Sequence, residues 1–503
     1  MFIALLALLN PANAASLDLL EVGGAWGTPG ATNPSALWWN PAGIAVGGGH
    51  QYLIEAAPVS ANVGYDRKNP NYGEGTDLFG EPAEYNYGGK DEIQFGGVVP
   101  FIGASSDFTV KGLGIGAALY VPTARGGVSQ TKNGPGRYHL KDGNIQSIHA
   151  ALGGGYHIAE MVAVGVSGAY TMNTWEAVTD VETLSSLHDG INDIFPDSSP
   201  YQDWMIEDLD YSGTTDFSKM EKNVLTFGAG IYITPMGEKL GISLGYHHGY
   251  RLDYEGDVKL DLGCPPEFDG IGRLGATSKG ICDVTMKGKG TIGYNLPSRI
   301  NLGVVLQPID KLRLEVMGSY VMWSAFTDYD ITTDISSDQV DITSTSCDEG
   351  NEEACERVEE DKAETADLVS QNRQWARDNR NTFWVGVDGK MKVHKLFTVG
   401  GRVFYDRSAI PSNVKSTNNY DLNTLGLMAL AAVTPHKAAG IGLSYTRHQM
   451  FAQTVNDSSF AVDVDPEERA NDRIFYPSAD GTYTGGINRF AVSVTGQIGG
   501  KKK

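Results

Sequence analysis

Long stretches of this chain change character residue by residue. Phe490, Val492, Val494 and Ile498 alternate with Arg489, Ala491, Ser493, Thr495 and Gln497, and Ile300, Leu302, Val304 and Leu306 alternate with Arg299, Asn301 and Gly303. The same period of two runs through Leu312, Leu314, Val316, Tyr320 and Met322, set against Arg313, Glu315, Met317 and Ser319. It recurs in Val162, Val164, Val166, Tyr170 and Met172. Such a period marks strands with two unlike faces. A soluble sandwich also alternates, but here the polar face holds arginine, glutamate and glutamine among small residues, which suits a wet lumen behind an apolar, lipid-facing wall. The connections decide between the two. Short links at Ile102–Asp107, His157–Met161, Thr234–Lys239, Gln307–Lys311, Val393–Leu396 and Thr434–Ala438 alternate with long polar links at about 66–90, 122–143, 177–222, 251–285, 332–380, 411–420 and 454–486. A sandwich has no reason to sort its loops by parity, whereas outer-membrane barrels join their strands by short periplasmic turns and long external loops. The expected fold is therefore all-β, a transmembrane antiparallel β-barrel of about fourteen strands over residues 49–500.

The ends and the composition narrow the setting. Residues 1–14 run from Phe2-Ile3-Ala4-Leu5-Leu6 to Ala12-Asn13-Ala14, an apolar run with a small-residue cleavage pattern, and read as a signal peptide. No later stretch approaches the ~20 apolar residues that a spanning helix needs, so an exported chain in a membrane must cross as strands. The formal charge, 39 − 61 = −22, and the lack of a basic face argue against a nucleic-acid partner. Four cysteines in an exported chain imply two local disulfides, Cys264 with Cys282 and Cys347 with Cys355. Their spacing matches no common zinc pattern, so no metal is expected. Residues 347–378 read as a helix, and the acids between Asp341 and Asp367 place much of the net charge on one loop; a solvated charged helix is the plain reading, cation bridging to lipopolysaccharide phosphates the functional one.

Residues 15–48 have no period and are small, Gly-rich and aromatic. They contain Trp38-Trp39-Asn40-Pro41-Ala42-Gly43-Ile44-Ala45. This octet resembles the N-terminal plug, or hatch, of the FadL/OmpP1/TodX family of outer-membrane channels for hydrophobic compounds. Four further pieces resemble that family in order. These are Gly112-Leu113-Gly114-Ile115-Gly116 running to Tyr120-Val121-Pro122, then Leu296-Pro297-Ser298-Arg299, Trp323-Ser324-Ala325-Phe326, and Tyr405-Asp406-Arg407-Ser408-Ala409-Ile410-Pro411. The chain departs from the family at Ala409, where proline is usual, and in closing on Lys501-Lys502-Lys503 rather than on an aromatic residue.

The resemblance implies passive uptake of long-chain fatty acids or similar hydrophobic compounds by a monomer in the outer membrane, among lipid and lipopolysaccharide. Substrate would be collected between external loops, pass a pocket over the hatch, and leave sideways where the third strand kinks inward. Ile191, Ile194, Phe195, Trp204 and Ile206 are the candidate groove; packing of the loop on itself is the alternative. Asn40, Pro41 and Ala42 suit a gate, since proline fixes φ and asparagine bonds nearby backbone. Gly112, Gly114 and Gly116 are the candidate kink of the opening strand. By parity Arg299, Arg313, Arg402 and Arg489 face inward and are candidates for a carboxylate headgroup, or else wall charges paired with neighbours such as Glu315. Import of aromatic hydrocarbons and a purely structural surface barrel are the rival readings. An outer-membrane lipase is weaker, because the histidines are scattered and adjacent His247 and His248 point to opposite faces. No enzyme and no cofactor is expected.

Overall fold

The computed structural model describes residues 21–69, 75–76, 82–83, 88–131, 133–182, 212–262, 284–342, 350–370, 372–436, 438–460 and 478–499. Fourteen staves follow one another in antiparallel order. They are β1 (His50–Arg67), β2 (Gly89–Ser106), β3 (Leu113–Ser129), β4 (Asp142–Ala159), β5 (Val162–Glu182) and β6 (Ser212–Ile233). Four further staves are broken in two or three pieces: β7 (Leu240–His247 and Tyr250–Leu262), β8 (Val284–Leu296 and Arg299–Ile309), β9 (Leu312–Val321, Asp328–Asp334 and Val340–Ile342) and β10 (Asn372–Ala376 and Thr382–Lys392). β11 (Phe397–Asp406), β12 (Thr424–His436), β13 (Ala439–Met450, continued by Gln453–Val455) and β14 (Gly481–Ile498) complete the set. Each stave pairs with the next, and β1 pairs with β14 from His50↔Ile498 to Arg67↔Gly481, which closes the barrel.

The two faces of the wall are inverted relative to a soluble protein. Leu152, Val166, Leu225, Val316, Leu427, Leu443 and Val492 point outward and are exposed, while Ser147, Thr171, Asn173, Ser243, Asn301, Glu315, Asp388 and Thr446 are buried inside. Hydrocarbon rather than water is the solvent that makes this arrangement stable. Among the described residues no helix is long and apolar enough to cross a membrane. Residues 21–49 lie in the lumen, with α1 (Ala36–Trp39) and α2 (Gly43–Gly47) buried among the inner faces of the staves. The acidic helix α3 (Glu352–Val369) belongs to the long connection between β9 and β10.

Several connections differ from their sequence outline. The expected short turn at Ile102–Asp107 lies at residues 107–112 instead. Ile102 still pairs with Ile54 and Leu119, and it is the Asp107 carboxylate, accepting from Thr109 N at 2.9 Å and Gly49 N at 2.6 Å, that folds the turn. Gly112 sits at its end with φ +81°, a conformation glycine adopts without penalty. The long link expected at 122–143 is shorter, since β3 continues to Ser129 and β4 begins at Asp142. The link expected at 411–420 is no solvent loop: Val414, Lys415, Ser416, Thr417 and Tyr420 are buried in the barrel mouth, where Thr417 Oγ1 donates to the Gly136 carbonyl at 3.1 Å.

The inverted wall sets a direct expectation. Leu443→Arg, in the outward apolar band of β13, should destabilise the folded barrel by about 2–4 kcal/mol, and Thr454→Arg, near the loop end of that stave, by less than about 1 kcal/mol. Equilibrium unfolding in lipid vesicles, followed by tryptophan fluorescence, measures both.

Candidate functional site

The lumen segment is held in two ways. On one side the wall is stripped to glycine where the segment touches it. Gly114, Gly153, Gly155, Gly165, Gly230 and Gly245, on the inner faces of β3 to β7, bring the wall against Leu37, Trp39, Asn40, Pro41, Ala42 and Ile44. A Cβ on Gly245 would collide with the Trp39 carbonyl, one on Gly165 with the Ala42 backbone, and one on Gly230 with the Asn40 side chain. Asn40 is wholly buried. Its Nδ2 donates to Ser243 Oγ at 2.7 Å and to the Ile231 carbonyl at 2.9 Å, and its Oδ1 accepts from Ala42 N at 3.1 Å. The Asn40-Pro41-Ala42 turn is thus clamped between β6 and β7. Trp38 lies against His247 with ring centroids 4.4 Å apart and against Tyr120 at 5.7 Å.

On the opposite side charge replaces shape. Glu315 accepts from Thr28 Oγ1 and Gly30 N, both at 2.7 Å. Arg402 donates to the Gly27 carbonyl at 3.0 Å and Arg313 to the Gly30 carbonyl at 3.0 Å. Glu21 accepts from Thr446 Oγ1 at 2.8 Å, and its other oxygen lies 3.2 Å from His448 Nε2 and 3.7 Å from Arg489 Nε. Burial opposes ionisation of Glu21, but the charge of Arg489 and the hydrogen bond from His448 overcome it and hold the carboxyl down at about 2.

The four arginines expected to face the lumen do so, and the structure shows what occupies them. Arg313 pairs with Glu315 at 2.7 Å, Arg402 lies 3.4 Å from Asp388, and Arg489 pairs with Glu55. Arg299 lies over the Trp38 ring at 5.1 Å. All four therefore serve the contact between wall and lumen segment.

The third stave is interrupted, though not at the glycines singled out by sequence. Gly114 and Gly116 pair regularly with β4, and Gly116 also with Ser105 of β2. The β2–β3 ladder is continuous from Ser106↔Ile115 to Phe101↔Tyr120 and resumes only at Gln94↔Val128. Between these points β2 advances by 101 − 94 = 7 residues and β3 by 128 − 120 = 8. The ladder with β4 slips in the same place, from Tyr120↔His149 to Thr123↔Ser147. One extra residue at Val121-Pro122, a proline without an N–H to donate, takes β3 out of step with both neighbours. Alternation stops there: Tyr120, Val121, Pro122, Thr123, Ala124 and Arg125 are all buried, as expected if this stretch leaves the wall for the lumen. Its height is that of the apolar band, because Gly97 pairs with Val59, and Val59 with Arg489, the neighbour of outward-facing Phe490.

The family model for outer membrane protein transport proteins (OMPP1/FadL/TodX) matches residues 4–421. The chain belongs to this family. It is accordingly an outer-membrane β-barrel of a transport family, a channel of FadL/TodX type for hydrophobic compounds. A FadL homologue from Pseudomonas aeruginosa is similar in structure, with a TM-score of 0.70 and 16% identity over 98% of this chain and all of that one (100%). The toluene transporter TodX of Pseudomonas putida has a TM-score of 0.59 at 11% identity, covering 96% and 100% of the two chains. The monoaromatic hydrocarbon channel CymD has a TM-score of 0.55 at 10% identity, covering 93% and 94%. No curated protein sequence matches the chain.

Other expected site residues are placed as follows. Ile191, Ile194, Phe195, Trp204 and Ile206 lie outside the described residues, as do Cys264, Cys282 and Cys347. Cys355 is disulfide-bonded. His247 is buried beside Trp38 while His248 is exposed and stacks on Phe227, so the two do point apart. Among the described residues no cluster of metal-ligating side chains occurs.

Two outcomes follow for the lumen segment. Gly165→Val or Gly230→Val should displace the Asn40-Pro41-Ala42 turn at a cost of about 1–3 kcal/mol and raise single-channel conductance in planar bilayers. The Glu21 carboxylate, with its pKa depressed, contributes stability above the ordinary carboxylate range and loses it only as pH falls toward about 2. Glu21→Gln should therefore lower the melting temperature by a similar amount at pH 7 and at pH 5, as measured by circular dichroism.

Proposed function

We propose that the chain lets long-chain fatty acids, or similar hydrophobic compounds, diffuse across the outer leaflet and releases them sideways between β2 and β3. The observation that carries this reading is the one-residue excess of β3 at Val121-Pro122, across which Phe95–Pro100 of β2 and Val121–Gly127 of β3 do not pair with each other at the height of the apolar band. The backbone on both sides of such an interruption needs neither water nor a wide pore to pass a molecule that is itself greasy. Each methylene moved from water into an apolar path gains about 0.8 kcal/mol, so a long acyl chain needs few polar contacts to enter.

In this reading Ile191, Ile194, Phe195, Trp204 and Ile206 form the capture surface. The Asn40-Pro41-Ala42 turn is the gate, whose movement opens the space beside β3. Its support is position: Ile44 rests on Gly114 of β3, the stave that borders the interruption, and the turn rests on the staves that follow it, β4 to β7. Gly114 and Gly116 act in the berth of the gate rather than in the opening. Import of aromatic hydrocarbons is the second reading, favoured by the toluene and monoaromatic substrates named for the similar structures TodX and CymD.

Cells lacking their own hydrophobic-compound channels, supplied with this protein, should take up labelled oleate well above the empty-vector rate. Deleting Pro122 removes the extra residue, brings both ladders of β3 into register, and should reduce uptake at least tenfold while the barrel remains heat-modifiable on gels. Uptake of toluene but not oleate would select the second reading, and uptake of neither would refute the channel.

A further inference from the structure

The outward face of the wall stops being apolar toward its loop end. Across β2, β1, β14 and β13 it carries a groove of about 600 Å³, lined by Asn62, Glu92, Gln94, Arg447 and Asn488 among others. Its floor is largely glycine: Gly64, Gly485 and Gly486 lie in it, and a Cβ on Gly486 would collide with the Arg447 guanidinium. The parity of the staves places these side chains outside the barrel. Asn62 continues the face of Pro58, Arg447 that of Tyr445, and Asn488 that of Phe490. In the row just toward the periplasm, Tyr445 pairs with Phe490 and Pro58 with Val98. The groove therefore opens directly above the apolar band and its aromatic edge, at the height where lipid headgroups stand.

Two opposite charges stand in this groove without meeting. Arg447 reaches over Gly486; its Nη1 donates to Asn488 Oδ1 at 3.2 Å and its Nη2 to Gln449 Oε1 at 3.1 Å. Glu92 Oε1 accepts from Gln94 Nε2 at 2.8 Å and from Asn62 Nδ2. Gly486 and Asn62 are direct partners in the β1–β14 ladder, so the guanidinium and the carboxylate face each other from its two sides. Among the described residues neither belongs to an ion pair, and Lys90, the next outward residue beside Glu92, is turned to Asp66 at 3.9 Å. Neutral amides thus hold both groups in place and leave both charges uncompensated. Glu92 Oε2 accepts no hydrogen bond from a described residue, and the guanidinium has five donors of which the amides take two. At the edge of hydrocarbon the effective dielectric lies below that of water, so a ligand carrying the complementary pair of charges gains more here than in solution.

We propose that this groove binds a membrane lipid with a phosphoethanolamine headgroup. The phosphate meets Arg447, whose fork of N–H groups matches two phosphate oxygens, and the primary ammonium meets Glu92. The acyl chains run down the outward faces of Pro58, Phe490 and Leu443. Charge complementarity selects this occupant. An anionic headgroup without an amine satisfies Arg447 but sets a like charge before Glu92. A phosphocholine headgroup brings a positive charge but no N–H for the carboxylate to accept. The glycine floor gives the headgroup its room. The site lies on the outside of the barrel and stands whatever route a substrate takes through the lumen.

The test is native mass spectrometry of the full-length barrel released from detergent micelles that contain dioleoyl phosphatidylethanolamine, phosphatidylglycerol or phosphatidylcholine, with gel heat-modifiability as the folding control. The wild-type protein should retain phosphatidylethanolamine with about tenfold higher affinity than either of the other two. Arg447→Gln should weaken all three phospholipids, because each offers a phosphate. Glu92→Gln should remove the preference for phosphatidylethanolamine while leaving the other two as they were or tighter. Equal affinity for the three lipids in the wild type overturns the proposal, and so does a folded Glu92→Gln barrel that keeps the preference. Protein dimers in place of lipid adducts, or loss of the lipid to an equal concentration of free phosphoethanolamine, overturn it too, by naming another occupant. If a variant does not fold, the ranking of the three lipids by the wild type decides.

Discussion

A wall standing in hydrocarbon must pair every backbone N–H and C=O within itself, because lipid offers no substitute partner. That constraint closes fourteen staves from β1 to β14 and makes any departure from the ladder expensive. The interruption between β2 and β3 is therefore informative. It comes from one additional residue beside a proline, and the stretch of β3 that loses its pairing with β2 is buried among other chain segments. In the proposed route, substrate reaches the membrane where that backbone has been accommodated inside.

The lumen segment shows how a plug can be held firmly and yet remain a separate piece. Among the described residues no strand ladder ties 21–48 to the wall. Shape holds one side, where Gly165 and Gly245 let backbone approach backbone and Gly230 makes room for the Asn40 side chain. Charge holds the other, where Glu21, Glu315, Arg402 and Arg489 join the lumen segment to the wall at buried positions. A buried ion pair contributes little net stability but is costly to break one partner at a time. Such contacts specify one position of the lumen segment against the wall.

Much of this was legible in the sequence. Period-two alternation and the sorting of short from long links sufficed for an antiparallel barrel of fourteen staves, because those patterns follow from lipid outside and water inside. The inward parity of Arg299, Arg313, Arg402 and Arg489 follows from the same rule. Glu315 could be named as a partner because it is two residues from Arg313, but Glu21 and Glu55 lie far from Arg489 in sequence and could not. The glycines of β3 announced themselves as a pattern, but the run Gly112-Leu113-Gly114-Ile115-Gly116 does not say whether it marks a kink or a close neighbour, and those of β4 to β7 were not singled out. The inward stretch of β3 was missed because residues 122–143 read as a polar link; a strand that turns inward loses its alternation, and with it the signal by which strands are recognised. Burial of the 411–420 connection was hidden for a similar reason, because Lys415, Ser416, Thr417 and Asn419 look solvated until their partners are known.

The central claim is the route: substrate leaves through the wall between β2 and β3, above the hatch, and does not pass through the hatch to the periplasmic end. A photoactivatable long-chain carboxylate, bound to the protein in outer-membrane vesicles, irradiated and mapped by peptide mass spectrometry, follows that route directly. Adducts within Phe95–Pro100 and Val121–Gly127 are expected. Adducts confined to the hatch interior and the short turns at 107–112 and 234–239 would contradict it.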